Sequence, residues 1–329
     1  MQSTRFYSVE DLSHMPRPQW LIEGLFEANS LVMLAAPSYS FKSFMAIDWM
    51  MCMATGKDWN HRQVVETKPL YVLGEGRGNL IKRIQGWIKH HHPTKEELRK
   101  IHENFRVTFD VPQMAMKSSV DNLLASLNED GYHPSVIVLD TFARAAVGLD
   151  ENSQKDTGIW IDACERLRGL GMTVIFLHHT AKNTEFGVKY RGSTAIMGAM
   201  DTAMTMQRDF KNDQVELRID KQKDHDEGKP MVFRKLLVPL PGETEGSMVL
   251  VPTSAQDERF TEDYKKVEDF MMGLLAENYE SDRSRARVMA ATFNMTESGA
   301  QTRLRRFRKD HGLPQEPLIT LTDDEILHA

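Results

Sequence analysis

LVMLAAPSYSFKS, residues 31–43, runs from six apolar residues through a short turn with Pro and Ser to Lys42 and Ser43, which open a helical pattern. Strand, loop and helix start in that order bring successive backbone N–H groups and the positive end of a helix dipole onto one point, a natural seat for an anion such as phosphate. In the phosphate-loop pattern G-x-x-x-x-G-K-[ST] the lysine reaches the outer phosphates and the hydroxyl ligates magnesium. Set in that register the loop is Ala36, Pro37, Ser38, Tyr39, Ser40, Phe41, Lys42 and Ser43, so both glycines are replaced. Phe41 is the larger departure, because the backbone before the lysine bends around the phosphates and a bulky side chain restricts its φ. Taken alone, the stretch reads equally well as a buried strand followed by an ordinary N-capped helix.

The rest of the chain sets the bounds. Its 329 residues, 41% of them hydrophobic, suffice for a large core and about two domains. A formal charge of −6 excludes a uniformly basic nucleic-acid coat, so any nucleic-acid site is local. Cys52 and Cys164 lie far apart in apolar helical patterns without metal-type spacing, as expected for reduced core thiols of a cytoplasmic protein. The polar start MQSTRFYSVEDL is not that of a signal peptide, and Asp48 interrupts the longest apolar stretch, so no membrane partner is expected.

Beyond the loop, Phe44, Ile47, Met50, Met51 and Ala54 recur at helical spacing until Thr55-Gly56. A buried-type strand over 70–73 then runs into Gly74-Glu75-Gly76, which places a carboxylate in the crevice where open α/β sheets bind ligands and where it could deprotonate a water. The alternative is a solvated loop glutamate. The run VIVLD, 136–140, is a central parallel strand in pattern, and its terminal Asp140 is placed to hold magnesium or its water shell. A polar loop over 148–158 precedes a helix over 159–170. A further strand, 173–177, ends in His178-His179-Thr180, where a histidine could bond a γ-phosphate or simply sit in the core. Lys182, Lys189 and Arg191 follow on a glycine-containing basic stretch. Strand patterns at 202–207, 215–220 and 231–238 are joined by short turns, so the fold expected is α/β, a mostly parallel sheet extended by antiparallel hairpins.

After the linker 253–261 the pattern changes to short helices over 262–329 with the look of a helix-turn-helix, possessing a second helix rich in arginine. Arg283, Arg285, Arg287, Arg303, Arg305, Arg306, Arg308 and Lys309 stand against one acid, Glu297, and read as a phosphate-contacting face or as a solvated or partner-binding tail.

The order of W-L-I-E-G-L, LVMLAAPSYSFKSFMAIDW, YVLGEGRG, VIVLDT, TVIFLHHTAK, YRGSTAIMGAMDT and LRIDKQKD resembles the RecA-type hexameric ATPases, AAA-type P-loop NTPases, and within them the RepA-like plasmid and phage replicative helicases. The resemblance implies a RecA-like core over 31–252, with 1–30 as a lead-in packed on it. It implies that Lys42 and Ser43 contact ATP phosphates and Mg2+, that Asp140 supports the metal, that Glu75 is the catalytic carboxylate and that His178 senses the γ-phosphate. Lys221 and Lys223 match a basic finger presented to the neighbouring subunit of a ring, with Arg191 a second candidate. Lys182, Lys189, Arg303, Arg305 and Arg306 are the expected nucleic-acid contacts. The implied activity is an ATP-driven translocase or helicase on single-stranded DNA; a nucleotide-binding regulatory factor or recombination mediator with weak ATPase is the alternative.

Overall fold

The computed structural model describes residues 6–15, 18–180, 194–210, 212–243, 246–253, 270, 272–275, 281–293, 301, 304 and 308. The chain divides into two compact units, Met1–Ser254 and Ala255–Ala329.

In chain order the first unit contains α1 (Val9–Ser13), β1 (Trp20–Ile22), β2 (Phe26–Glu27), β3 (Leu31–Ala36), α2 (Lys42–Thr55), β4 (Pro69–Leu73), α3 (Arg77–His91), α4 (Lys95–Asn104), β5 (Arg106–Thr108), α5 (Lys117–Glu129), β6 (Val136–Asp140), α6 (Phe142–Ala145), α7 (Gln154–Arg168), β7 (Thr173–His179), α8 (Thr194–Ala199), β8 (Thr202–Asp209), β9 (Gln214–Gln222), β10 (Met231–Val238) and β11 (Ser247–Pro252). Nine strands form one sheet in the order β11-β10-β9-β8-β3-β7-β6-β4-β5. From β5 to β8 neighbours run parallel, and β8 to β11 are antiparallel, the α/β architecture expected.

The central strands are buried throughout, as unbroken apolar runs require when helices cover both faces of a sheet. Period-two alternation divides them between two cores. Val32, Leu34 and Ala36 of β3 pack on one face with Met45, Trp49 and Met53 of α2, whereas Leu31, Met33 and Ala35 pack on the other with Trp160 and Cys164 of α7. Both cysteines are buried and free. Leu21, Ile22, Leu25 and Phe26 of the lead-in join the α2 face.

Asp48 ties α2 to its neighbours by accepting hydrogen bonds from Trp59 Nε1 and Trp87 Nε1, each at 2.7 Å. Burial pushes its carboxyl up to about 6, against the lowering effect of the two indoles.

Two helices, α4 and α5, lie where the sequence pattern was silent. α7 starts at Gln154 rather than 159, because Ser153 caps it by accepting from the Asp156 N–H and its first turn is polar. No helix among the described residues is long and apolar enough to cross a membrane.

In the second unit the helix α9 (Asp282–Phe293) alters the expected basic face. Arg285 is buried and donates to the Leu274 carbonyl (3.1 Å) and to Asp282 (3.1 Å), and Arg308 donates to the same Asp282 oxygen (2.8 Å). These two arginines hold the unit together instead of facing solvent. Arg303, Arg305 and Arg306 lie outside the described residues, as does most of the expected helix-turn-helix.

Candidate nucleotide site

β3 delivers the loop at the C-terminal edge of the parallel strands. Tyr39 (φ +66°) and Phe41 (φ +65°) both adopt the left-handed conformation, and Phe41 does so where the pattern has glycine. Phe41 is the N-cap of α2, and no side chain caps that helix, so its leading N–H groups face the loop. Lys42 is 5% exposed. Its ammonium donates to the carbonyls of Ala36 (2.8 Å) and Pro37 (3.0 Å) and to His179 Nδ1 (3.2 Å). Burial lowers its pKa to about 8, with the Asp140 charge opposing.

Asp140 ends β6 two strands away. It accepts a 2.6 Å hydrogen bond from the Tyr71 hydroxyl on β4, and Ser43 in the first turn of α2 acts on the same hydroxyl. Asp140 and Ser43 thus put hard oxygens at the start of the lysine helix, a donor set suited to Mg2+ completed by phosphate and water, while Tyr71 holds the Asp140 carboxylate in place. Among the described residues no cluster of three His, Cys, Asp or Glu side chains forms a metal centre.

Glu75 follows β4, which pairs with β6 so that Leu73 lies opposite Asp140. It reaches the same edge of the sheet, half-exposed, and its carboxylate accepts from Arg144 Nε of α6 at 2.8 Å. Arg144 is held close: a Cβ on Gly74 would stand 2.7 Å from the Arg144 Cβ. Arg144 also lines a cavity of about 560 Å³ with Thr108, Asp110, Gln113 and Asn122.

His178 does not join this group. In the parallel register Ala35 pairs with His178 and Ala36 with His179, so the two histidines point to opposite faces. His178 is 2% exposed, lies tilted against the Phe142 ring and bonds Glu151 (3.2 Å); burial lowers its pKa against the opposing pull of Glu151. His179 is the one beside Lys42, and the charges of Glu75 and Asp140 act on it as well. The apolar run of β7, buried on both faces, hid which histidine shares the loop's side.

Lys221 and Lys223 stand at the other end of the sheet. Lys221 donates to the Met197 and Gly198 carbonyls (2.9 Å each), and the Lys223 N–H bonds Asp201, whose own N–H bonds Leu31 at the start of β3. The full length of β3, roughly 17 Å at strand rise, separates that level from Ala36. Neither lysine reaches its own loop. Lys182, Lys189 and Arg191 lie outside the described residues.

A family model described as an AAA domain, AAA_25, matches residues 4–185, more than half of the chain and all of Lys42, Glu75, Asp140 and His179. Among solved structures the chain is similar to the KaiC-like protein PH0186 from the hyperthermophilic archaeon Pyrococcus horikoshii OT3, with 15% identity over 70% of this chain and 94% of that chain and a TM-score of 0.44. It is also similar to the RadB recombinase, with 13% identity over 63% and 87% of the two chains and a TM-score of 0.45. No curated protein matches it.

Proposed function

The chain belongs to the AAA_25 family of AAA domains, and from that premise we propose that it is a magnesium-dependent ATPase that assembles into a ring and moves along single-stranded DNA. The observation that carries the reading is the convergence of Lys42, His179, Asp140 and Glu75 at one edge of the parallel sheet, beside a helix start that no side chain caps. Lys42 and the N–H groups of the loop hold the β- and γ-phosphates. Ser43 and Asp140 would hold Mg2+, which neutralises charge on the phosphates. Glu75, once released from Arg144, accepts a proton from the attacking water. His179 faces the terminal phosphate and registers its loss, a role the sequence resemblance gave to His178.

Lys223 is proposed as the finger that completes a neighbouring subunit's site, because its side chain is exposed, its ammonium meets Asp201 only at 3.8 Å and its own loop is out of reach, while Lys221 donates at 2.9 Å to the end of α8. Lys182 and Lys189 are proposed to contact the DNA, with Arg303, Arg305 and Arg306 as a second contact. ATP turnover measured with and without single-stranded DNA, alongside strand displacement, tests the motor. Stimulated turnover with displacement supports it. Slow turnover indifferent to DNA supports the alternative, a nucleotide-binding DNA factor, which the pairing of Glu75 with Arg144 favours.

A further inference from the structure

The loop position that takes glycine in the phosphate-loop pattern is held here by contacts that glycine would not need. Phe41 has φ +65° and ψ +21°, a conformation that a side chain with a Cβ resists. Its ring lies edge-on to Phe44, with centroids 6.1 Å apart, and packs against the α2 core. The guanidinium of Arg208 sits 4.9 Å from the centre of the same ring. Arg208 belongs to β8, which runs parallel beside β3 with Thr205 opposite Ala35, so it leaves the sheet at the loop's own edge.

The other side of Arg208 is also filled. The Phe210 ring lies 4.7 Å away, Asp213 accepts from Nη2 at 3.0 Å, and Nε is buried with no hydrogen-bond partner among the described residues. A buried guanidinium N–H left unpaired is costly. The gain that offsets it is the attraction of a cation to two ring faces.

We propose that Arg208 is a positioning residue for the phosphate loop. It fixes the Phe41 ring and so keeps the left-handed turn that aims the leading N–H groups of α2 at an anion. Where glycine adopts that turn because it has no side chain, this chain adopts it because the side chain is pinned. The inference rests on the reading of residues 36–43 as the nucleotide site. It also links the loop to the turn after β8, since Phe210, 75% exposed, is the outer half of the sandwich.

A double-mutant cycle tests it, with Mg-ATP affinity measured by calorimetry and turnover by steady-state kinetics. Arg208→Met keeps the length of the stem and removes the cation, and Asp213 retains Lys235 at 2.8 Å, so no acid is left unpaired. In the natural background Arg208→Met is expected to weaken ATP binding and raise KM about fivefold with kcat little changed. In a Phe41→Gly background the same change is expected to do nothing further, because glycine needs no anchor. Arg208→Lys, which keeps the cation without the stacking plane, should recover part of the loss and serves as the probe if the methionine variant does not fold. An equal loss in both backgrounds overturns the proposal and makes Arg208 a direct ligand of the nucleotide. Undiminished affinity in the natural background overturns it too. Absence of ATP binding by the unaltered protein would instead contradict the nucleotide site itself.

Discussion

β3–α2 and β4–α3 are two strand-to-helix units that open on the same edge of the sheet, with β7 and β6 between their strands, and each helix starts after a left-handed residue with no side-chain cap. In β4–α3 that residue is Gly76, with φ +74° and ψ +32°; in β3–α2 it is Phe41, at nearly the same angles. Around Gly76 there is room, since an added Cβ would meet only the Arg83 Nη2 at 4.0 Å. Around Phe41 the ring is enclosed by Phe44, Arg208 and the α2 core. A non-glycine residue there costs about 1–2 kcal/mol, and the ring contacts offset it. The left-handed turn before an uncapped helix is therefore a backbone conformation, reached by the residue with fewest restraints in one unit and by enclosure in the other.

The sharpest division of labour between the units is chemical. Glu75→Gln is expected to leave Mg-ATP affinity intact and reduce kcat by roughly 10²–10⁴-fold, because an amide orients water and cannot take its proton. Near-normal turnover in a phosphate-release assay moves the base away from the β4 unit.

The β3 unit should answer to pH. With Lys42 held near 8 by burial, Mg-ATP affinity is expected to fall by about tenfold per unit above pH 8 as the ammonium is lost. Stability of the free protein runs the other way. Below pH 8 folded and unfolded chains both hold the Lys42 proton, and between about 8 and the ordinary lysine value of 10.5 only the unfolded chain does, so this group makes the fold more stable as pH rises through that window. Affinity that stays flat to pH 10 in calorimetry contradicts a lysine contact.

Legibility followed the same split. The apolar runs of β3, β4 and β6 and the acid that ends β6 were plain, because strands buried on both faces carry continuous hydrophobic patterns. Glu75 was visible through its flanking glycines. Phe41 argued against the loop, since a glycine pattern cannot see that Arg208, far along the chain, encloses the ring. The choice between His178 and His179 depended on register with β3, which a run of uniformly buried residues does not reveal. Arg285 and Arg308 looked like exposed cations because their acid, Asp282, stands one residue before the basic stretch begins.

Two smaller changes probe what joins the units. Asp48 of α2 accepts from Trp87 of α3, so Asp48→Ala leaves two buried indole N–H groups without their acceptor and is expected to cost about 2 kcal/mol in denaturant unfolding. No loss of stability would show the carboxylate to be dispensable as a tie. Gly76→Ala is expected to cost about 1 kcal/mol through its positive φ alone and to leave Mg-ATP affinity unchanged; weakened binding in the same titrations would assign the phosphates to the β4 unit.

The claim on which everything else stands is that residues 36–43 bind nucleotide without either glycine. Calorimetric titration of Mg-ATP into the natural protein and into Lys42→Ala tests it directly. Measurable binding by the first and its disappearance in the second, with unchanged circular dichroism, is the predicted result, because the ammonium held by the Ala36 and Pro37 carbonyls is the charge the phosphates meet. Equal affinity in both proteins would contradict it.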